Sequence, residues 1–215
     1  MEFFNLPVRT RVGKVVPKNA FDQSTNTKQK KIFADYIRRI TWTHKLSPDT
    51  INLNSQDIEE IQVFKVELKI KSNILKILEI INKSIPYHIV FWVEFEDHAY
   101  ISASMKHPHP TNNNISVIDW TFNSAWFKKN ENKINLTLKG SLDSVFKDLC
   151  VKITGKPELG RKSMAAILQN QEEIKSLKGE IRRIKSAITK SSQFNEKVEL
   201  NLKLKKLEHQ MKIIE

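Results

Sequence analysis

The chain has 215 residues, 40% of them apolar and 28% charged, a balance that suits a protein with a core and excludes a disordered or fibrous chain. A formal charge of +12 with a pI near 9.7 favours polyanions, nucleic acid before anionic membrane or an acidic protein. Five glycines and no Walker-type or dinucleotide-type pattern exclude a glycine-rich phosphate loop.

The opening MEFFNLPVRTRVGK carries Glu2 and too short an apolar run for a secretory leader, and no stretch has the length of a membrane span. A cytoplasmic protein without membrane partners is therefore expected. Residues 1–28 read as loop, with Pro7, Gly13 and Pro17 breaking any pattern. Lys28–Arg39 reads as a basic helix capped by Ser24 or Thr27, its face formed by Ile32, Phe33, Tyr36 and Ile37 and continued by Ile40. Ile61–Ile70 alternates: Phe64, Val66, Leu68 and Ile70 point one way, Lys65, Glu67 and Lys69 the other, so this is a strand with one wet face. Ser72-Asn73 caps a helix over Ile74–Ile85 that ends at Pro86. Strands are expected over Tyr87–Glu96 and Ala99–Met105 around a tight turn at Asp97-His98. The stretch His107–Asn114 reads as a loop, followed by strands at Ile115–Phe122 and Ile134–Leu138 and a helix at Leu142–Val151. The lone Cys150 sits in an apolar run and is expected as a buried thiol in a reducing compartment.

This order predicts an α+β or α/β mixed-sheet sandwich over residues 1–155. From residue 156 the texture changes. Ile167, Ile174, Leu177, Ile181, Ile184 and Ile188 step by threes, fours and one seven, with Asn170 at the polar position. Leu200, Leu204, Leu207, Met211 and Ile214 repeat the pattern after a break at Lys190–Asn195. Residues 156–215 are thus predicted as a C-terminal α-helical coiled-coil hairpin, through which the chain is expected to oligomerise or meet a partner. Fourteen Lys and Arg against eight Glu give this segment a net +6, half the charge of the whole chain.

Two chemical readings compete. Glu67-Leu-Lys69 on the alternating strand has the Glu-x-Lys spacing of a Mg²⁺-dependent nuclease, with Asp57 as the upstream acid. Against it, Lys65, Glu67, Lys69 and Lys71 form a continuous charged row, as any solvent face of a strand does. No metal, cofactor or catalytic residue is assigned on the leading reading. His107 and His109 lie between prolines with no further ligand at metal spacing. Trp92, Trp120, Phe122, Trp126 and Phe127 suit either a base-stacking surface or a core, and the core is favoured.

The runs Ile40-Thr-Trp-Thr-His-Lys-Leu-Ser-Pro-Asp-Thr-Ile-Asn-Leu53, Ile61-Gln-Val-Phe-Lys-Val-Glu-Leu68 and Ile85-Pro-Tyr-His-Ile-Val-Phe91 resemble the bacterial domain-of-unknown-function family DUF4391 over most of residues 1–150. The next strand departs from it: a tryptophan–isoleucine–serine–tyrosine–lysine pattern is expected, and Tyr100-Ile-Ser-Ala-Ser-Met-Lys106 stands instead. The resemblance implies a companion of DNA methyltransferases or helicases in restriction-like or phage-defence clusters, and brings no catalytic residues. The leading expectation is a non-enzymatic accessory subunit with a protein partner and basic side chains on DNA backbone: Arg161, Lys162, Lys178, Arg182, Arg183, Lys185, Lys203, Lys205 and Lys206. The alternatives are the nuclease and a self-assembling scaffold without nucleic acid.

Overall fold

A computed structural model describes residues 4–214, apart from the side chains of Asn113 and Asn114; Glu2, on which the leader argument draws, lies outside them. The chain divides into two compact units, Met1–Gly160 and Arg161–Glu215. The first is a mixed α/β unit with a seven-stranded sheet in the order β1-β2-β3-β4-β5-β6, and β7 beside β5. The strands are β1 (Arg11–Val16), β2 (Ile37–Leu46), β3 (Ile61–Leu68), β4 (His88–Phe95), β5 (His98–His109), β6 (Asn112–Asn123) and β7 (Phe127–Lys128). Every pairing is antiparallel except β3 with β4, where Ile61 faces His88 and Glu67 faces Glu94. That one parallel step requires a crossover, supplied by helix α3 (Leu75–Ser84). The other helices of this unit are α1 (Thr27–Tyr36), the single turn α2 (Pro48–Ile51) and α4 (Leu142–Thr154).

The alternation of β3 decides the layering. Phe64, Val66 and Leu68 join Ile89, Phe91 and Val93 of β4 beneath Ile77, Leu78 and Ile81 of α3 and Phe33 of α1, forming one core. The residues one step out of phase point to the opposite face. There His88 meets Phe146 of α4 with ring centroids 4.9 Å apart, so helices cover both sides of the sheet. Cys150 on α4 is buried, and burial pushes its thiol up, out of the nucleophilic range.

Several expectations need correction. The predicted basic helix stops at Tyr36, where the Ile37 N–H closes the last turn on Phe33 O; Ile37, Arg39 and Ile40 belong to β2. Its cap is Asn26, in a reciprocal pair with Gln29, and neither Ser24 nor Thr27. Part of the supposed N-terminal loop is β1. The predicted His107–Asn114 loop is the tip of the β5–β6 hairpin, strand-paired up to His109 and from Asn112. Residues 134–138 carry no strand: Lys152 Nζ binds Asn135 O and Oδ1 and Thr137 Oγ1, tying the segment to α4 through a side chain. β3 ends at Leu68, leaving Ile70 exposed.

In the second unit, α5 (Met164–Lys190) and α6 (Phe194–Ile214) are joined by three residues and pack against each other. Ile174 and Ile184 of α5 and Leu207 and Met211 of α6 are buried. α6 is apolar on a second side as well: Phe194, Val198 and Leu202, at four-residue spacing, stand exposed.

Candidate functional site

The two faces of the sheet are not equally covered. On the side of α4, the carboxyl ends of the parallel strands stay open and form the floor of a groove of about 880 Å³, lined from β1, β2, β3, β4 and the segment after β7. β1 contributes Arg11 and Gly13, β2 contributes Arg39, Thr41 and Thr43, β3 contributes Lys65 and Glu67, and β4 contributes Trp92 and Glu94. Lys129, Asn130 and Asn132 close the far side. Gly13, at φ +67°, sits where the β1–β2 register slips between Arg11 and Lys14. A bulge of this kind re-aims side chains at a sheet edge, and only glycine takes this backbone without strain.

A charge network organises the floor. Lys65 Nζ lies 3.1 Å from Glu67 Oε1 and 2.9 Å from Glu94 Oε1, and Lys129 Nζ lies 3.2 Å from Glu94 Oε2. Trp92, itself buried, donates Nε1–H to Glu94 Oε2 at 3.0 Å. Burial pushes the Glu94 carboxyl up, but hydrogen bonds from Lys65, Trp92 and Lys129 outweigh it and hold the group below the usual carboxylate range. Burial likewise pushes Lys65 down, and Glu94 and Glu67 together raise it above the usual lysine value. The two glutamates are thus engaged by the two lysines. Arg11 and Arg39 are exposed, and among the described residues neither takes part in this network.

The structure does not bring Asp57, Glu67 and Lys69 together. Asp57 precedes β3 and its amide donates to Asp143 Oδ1 at 3.0 Å, while Glu67 is at the other end of the strand, roughly 20 Å away by strand rise. Lys69 lies beyond the end of β3, and its Nζ donates to Ala34 O of α1 at 2.7 Å. Glu67 has Lys65 as its partner instead. Among the described residues no group of three or more His, Cys, Asp or Glu is placed to hold a metal ion. His107 Nδ1 pairs with Asp119 Oδ1 at 2.8 Å, and His109 Nδ1 accepts from the Thr111 amide.

Trp92, Trp126 and Phe127 of the aromatic set pack against other rings. Trp92 meets Phe127 at 5.6 Å and Phe4 at 5.8 Å, and Trp126 meets Tyr100 at 4.7 Å, with Lys71 Nζ 5.3 Å from the Trp126 ring centroid. The neglected residues are Arg11, Arg39, Glu94 and Lys129. The one signal in the sequence is the alternation that puts Glu94 on the same strand face as Trp92; its register with Glu67 comes from the parallel pairing.

All nine basic residues singled out on the second unit are exposed: Arg161, Lys162, Lys178, Arg182, Arg183, Lys185, Lys203, Lys205 and Lys206. Two of them also bridge the helices, Lys185 to Glu208 and Lys203 to Glu180, each at 2.9 Å.

The family model of Domain of unknown function (DUF4391) matches residues 4–211. The chain belongs to this family. The match runs through α5 and almost all of α6, so the basic helices are part of the family domain and not an appendage to it. No curated protein and no solved structure matches the chain. Among the described residues no helix is long and apolar enough to cross a membrane.

Proposed function

We propose that the protein is a non-enzymatic accessory subunit of a DNA-acting complex, holding nucleic-acid backbone with its basic residues and a protein partner with its helical unit. The observation that carries this reading is the exposure of the nine cations singled out on α5, α6 and the segment before them, on a unit whose net charge is +6. Exposed lysines and arginines neutralise phosphates and release counterions, which gives affinity without sequence readout and a steep loss with salt. The exposed line Phe194, Val198 and Leu202 supports the protein partner, because a helix apolar on both sides has more to bury than one neighbour covers. A setting beside a DNA methyltransferase or helicase in a defence cluster, and association through a coiled coil, belong to the same proposal. The geometry favours binding over cleavage, since Asp57 precedes the far end of β3 from Glu67 and Lys69 Nζ is held on Ala34 O.

The test is retention on immobilised duplex DNA at low salt. Arg182→Glu, Arg183→Glu and Lys185→Glu combined should abolish it, and unchanged retention would overturn the assignment. A mass that rises with concentration and falls when Phe194, Val198 and Leu202 become serine would identify a self-assembling scaffold instead.

A further inference from the structure

The groove on the open sheet face has a lining that selects its occupant. Its cations outnumber its acids: Arg11, Arg39, Lys65 and Lys129 line it against Glu67 and Glu94, and guanidinium groups only donate. Its acceptors, Glu67 and Glu94, are already engaged by Lys65, Lys129 and the Trp92 indole. A ligand entering here has to be rich in acceptors and negatively charged. We propose that the groove binds a short segment of single-stranded nucleic acid through its sugar–phosphate backbone.

Shape and spacing favour a strand over an isolated phosphate. Arg11 faces His44 across β1 and β2, and Arg39 faces Glu67 across β2 and β3. His44 and Arg39 are five positions apart on β2 with one bulged residue between them, so the backbones that carry the two arginines stand roughly 13–16 Å apart along the strand direction. Anchors rooted this far apart suit successive phosphates of one chain better than a single phosphate. The volume of about 880 Å³ is that of a pocket for a small molecule and holds a few linked nucleotides at most. Trp92 beneath the floor is buried and its indole N–H is committed to Glu94, so no aromatic face is presented for base stacking. The groove therefore reads backbone and not sequence. The ion-pair network plays a defined part: it holds Lys65 and Lys129 extended in the floor while cancelling the two carboxylates that would repel phosphate.

This site goes beyond the preceding proposal, whose cations lie on the other unit, and the two are separable by experiment. The probe is a single-stranded thymidine hexanucleotide, followed by fluorescence anisotropy at low salt, with thymidine monophosphate and inorganic phosphate as competitors. Arg11→Gln with Arg39→Gln should weaken hexanucleotide binding about a hundredfold, the loss of two charge-assisted contacts, and reduce the salt slope by about 1.4. Lys28→Gln with Lys31→Gln, the same charge change at exposed positions on α1, should leave binding within about twofold. The Arg182, Arg183 and Lys185 triple variant should keep hexanucleotide binding even where it loses duplex retention. No hexanucleotide binding by the wild type, an equal loss in the α1 control, or competition by the mononucleotide or phosphate at the same concentration as the strand would each overturn the proposal. Full-length protein is used throughout, and both arginines are exposed, so an unchanged thermal unfolding curve separates lost binding from lost fold.

Discussion

The two faces of the sheet hold their lysines in opposite ways. On the face covered by α3, Lys106 is 3% exposed and donates to Asn82 O at 2.8 Å and Ile85 O at 2.6 Å, closing the carboxyl end of that helix. Burial pushes its ammonium down to about 7. On the groove face Lys65 is only half-buried and sits between two carboxylates that push it up. Where a helix seals the sheet, a cation finishes the helix; where the sheet stays open, cations are positioned by acids and remain within reach of a ligand. Depth of burial, more than residue type, separates a structural lysine from one available for binding.

The comparison breaks hardest where the sealed face is emptied. Phe91 is fully buried beneath α3, and Phe91→Ala should cost about 3–5 kcal/mol, read as a fall in the denaturant midpoint with binding at the groove intact in the fraction that stays folded. Next comes Lys106. Its folded pKa of about 7 lies below that of the unfolded chain, so between the two the unfolded state carries the extra proton. Stability should accordingly rise with pH from about 7 to about 10.4, at up to about 1.4 kcal/mol per unit. Lys106→Met should remove that slope and leave two helix-end carbonyls short of a donor, at a cost of about 1–3 kcal/mol at high pH.

A smaller effect is expected from Glu94→Gln, which removes the carboxylate that both groove lysines share. About 1–2 kcal/mol should be lost at neutral pH. Because the folded Glu94 pKa is held down, its contribution is present above the ordinary carboxylate range and disappears as pH falls through the lowered value, so urea melts of wild type and variant should converge in acid. The smallest is Arg39→Gln, within about 0.5 kcal/mol in stability, which sharpens the contrast by dissociating binding from folding.

Much of the sealed face was legible in the sequence. α3 and α4 announce themselves by an apolar face at helical spacing, β3 by alternation toward its end and β4 by a continuous apolar run, buried on both faces. β2 did not, for a physical reason: its register slips twice, between Ile37 and Arg39 and between Trp42 and His44, which spoils strict alternation and leaves Ile37 and Ile40 at a spacing that continues α1. The packed helices α5 and α6 were readable from their apolar steps. The groove was not, because it draws on four strands and a late loop, and its two exposed arginines lie far apart in sequence. Glu-x-Lys at Glu67 and Lys69 looked like chemistry because strand spacing puts them on one side, yet β3 ends between them and Lys69 turns to α1.

The single parallel step also sets an order of events in folding. β5 and β6 are joined by a two-residue connection and can zip locally, whereas β3 and β4 meet only after a chain segment containing all of α3 has been gathered. That closure is the slow event, and α3 has to be in place for it. Leu78→Ala on α3 and Thr121→Ala in the early hairpin should thus both slow refolding and leave the unfolding rate nearly unchanged, which stopped-flow chevrons would read directly.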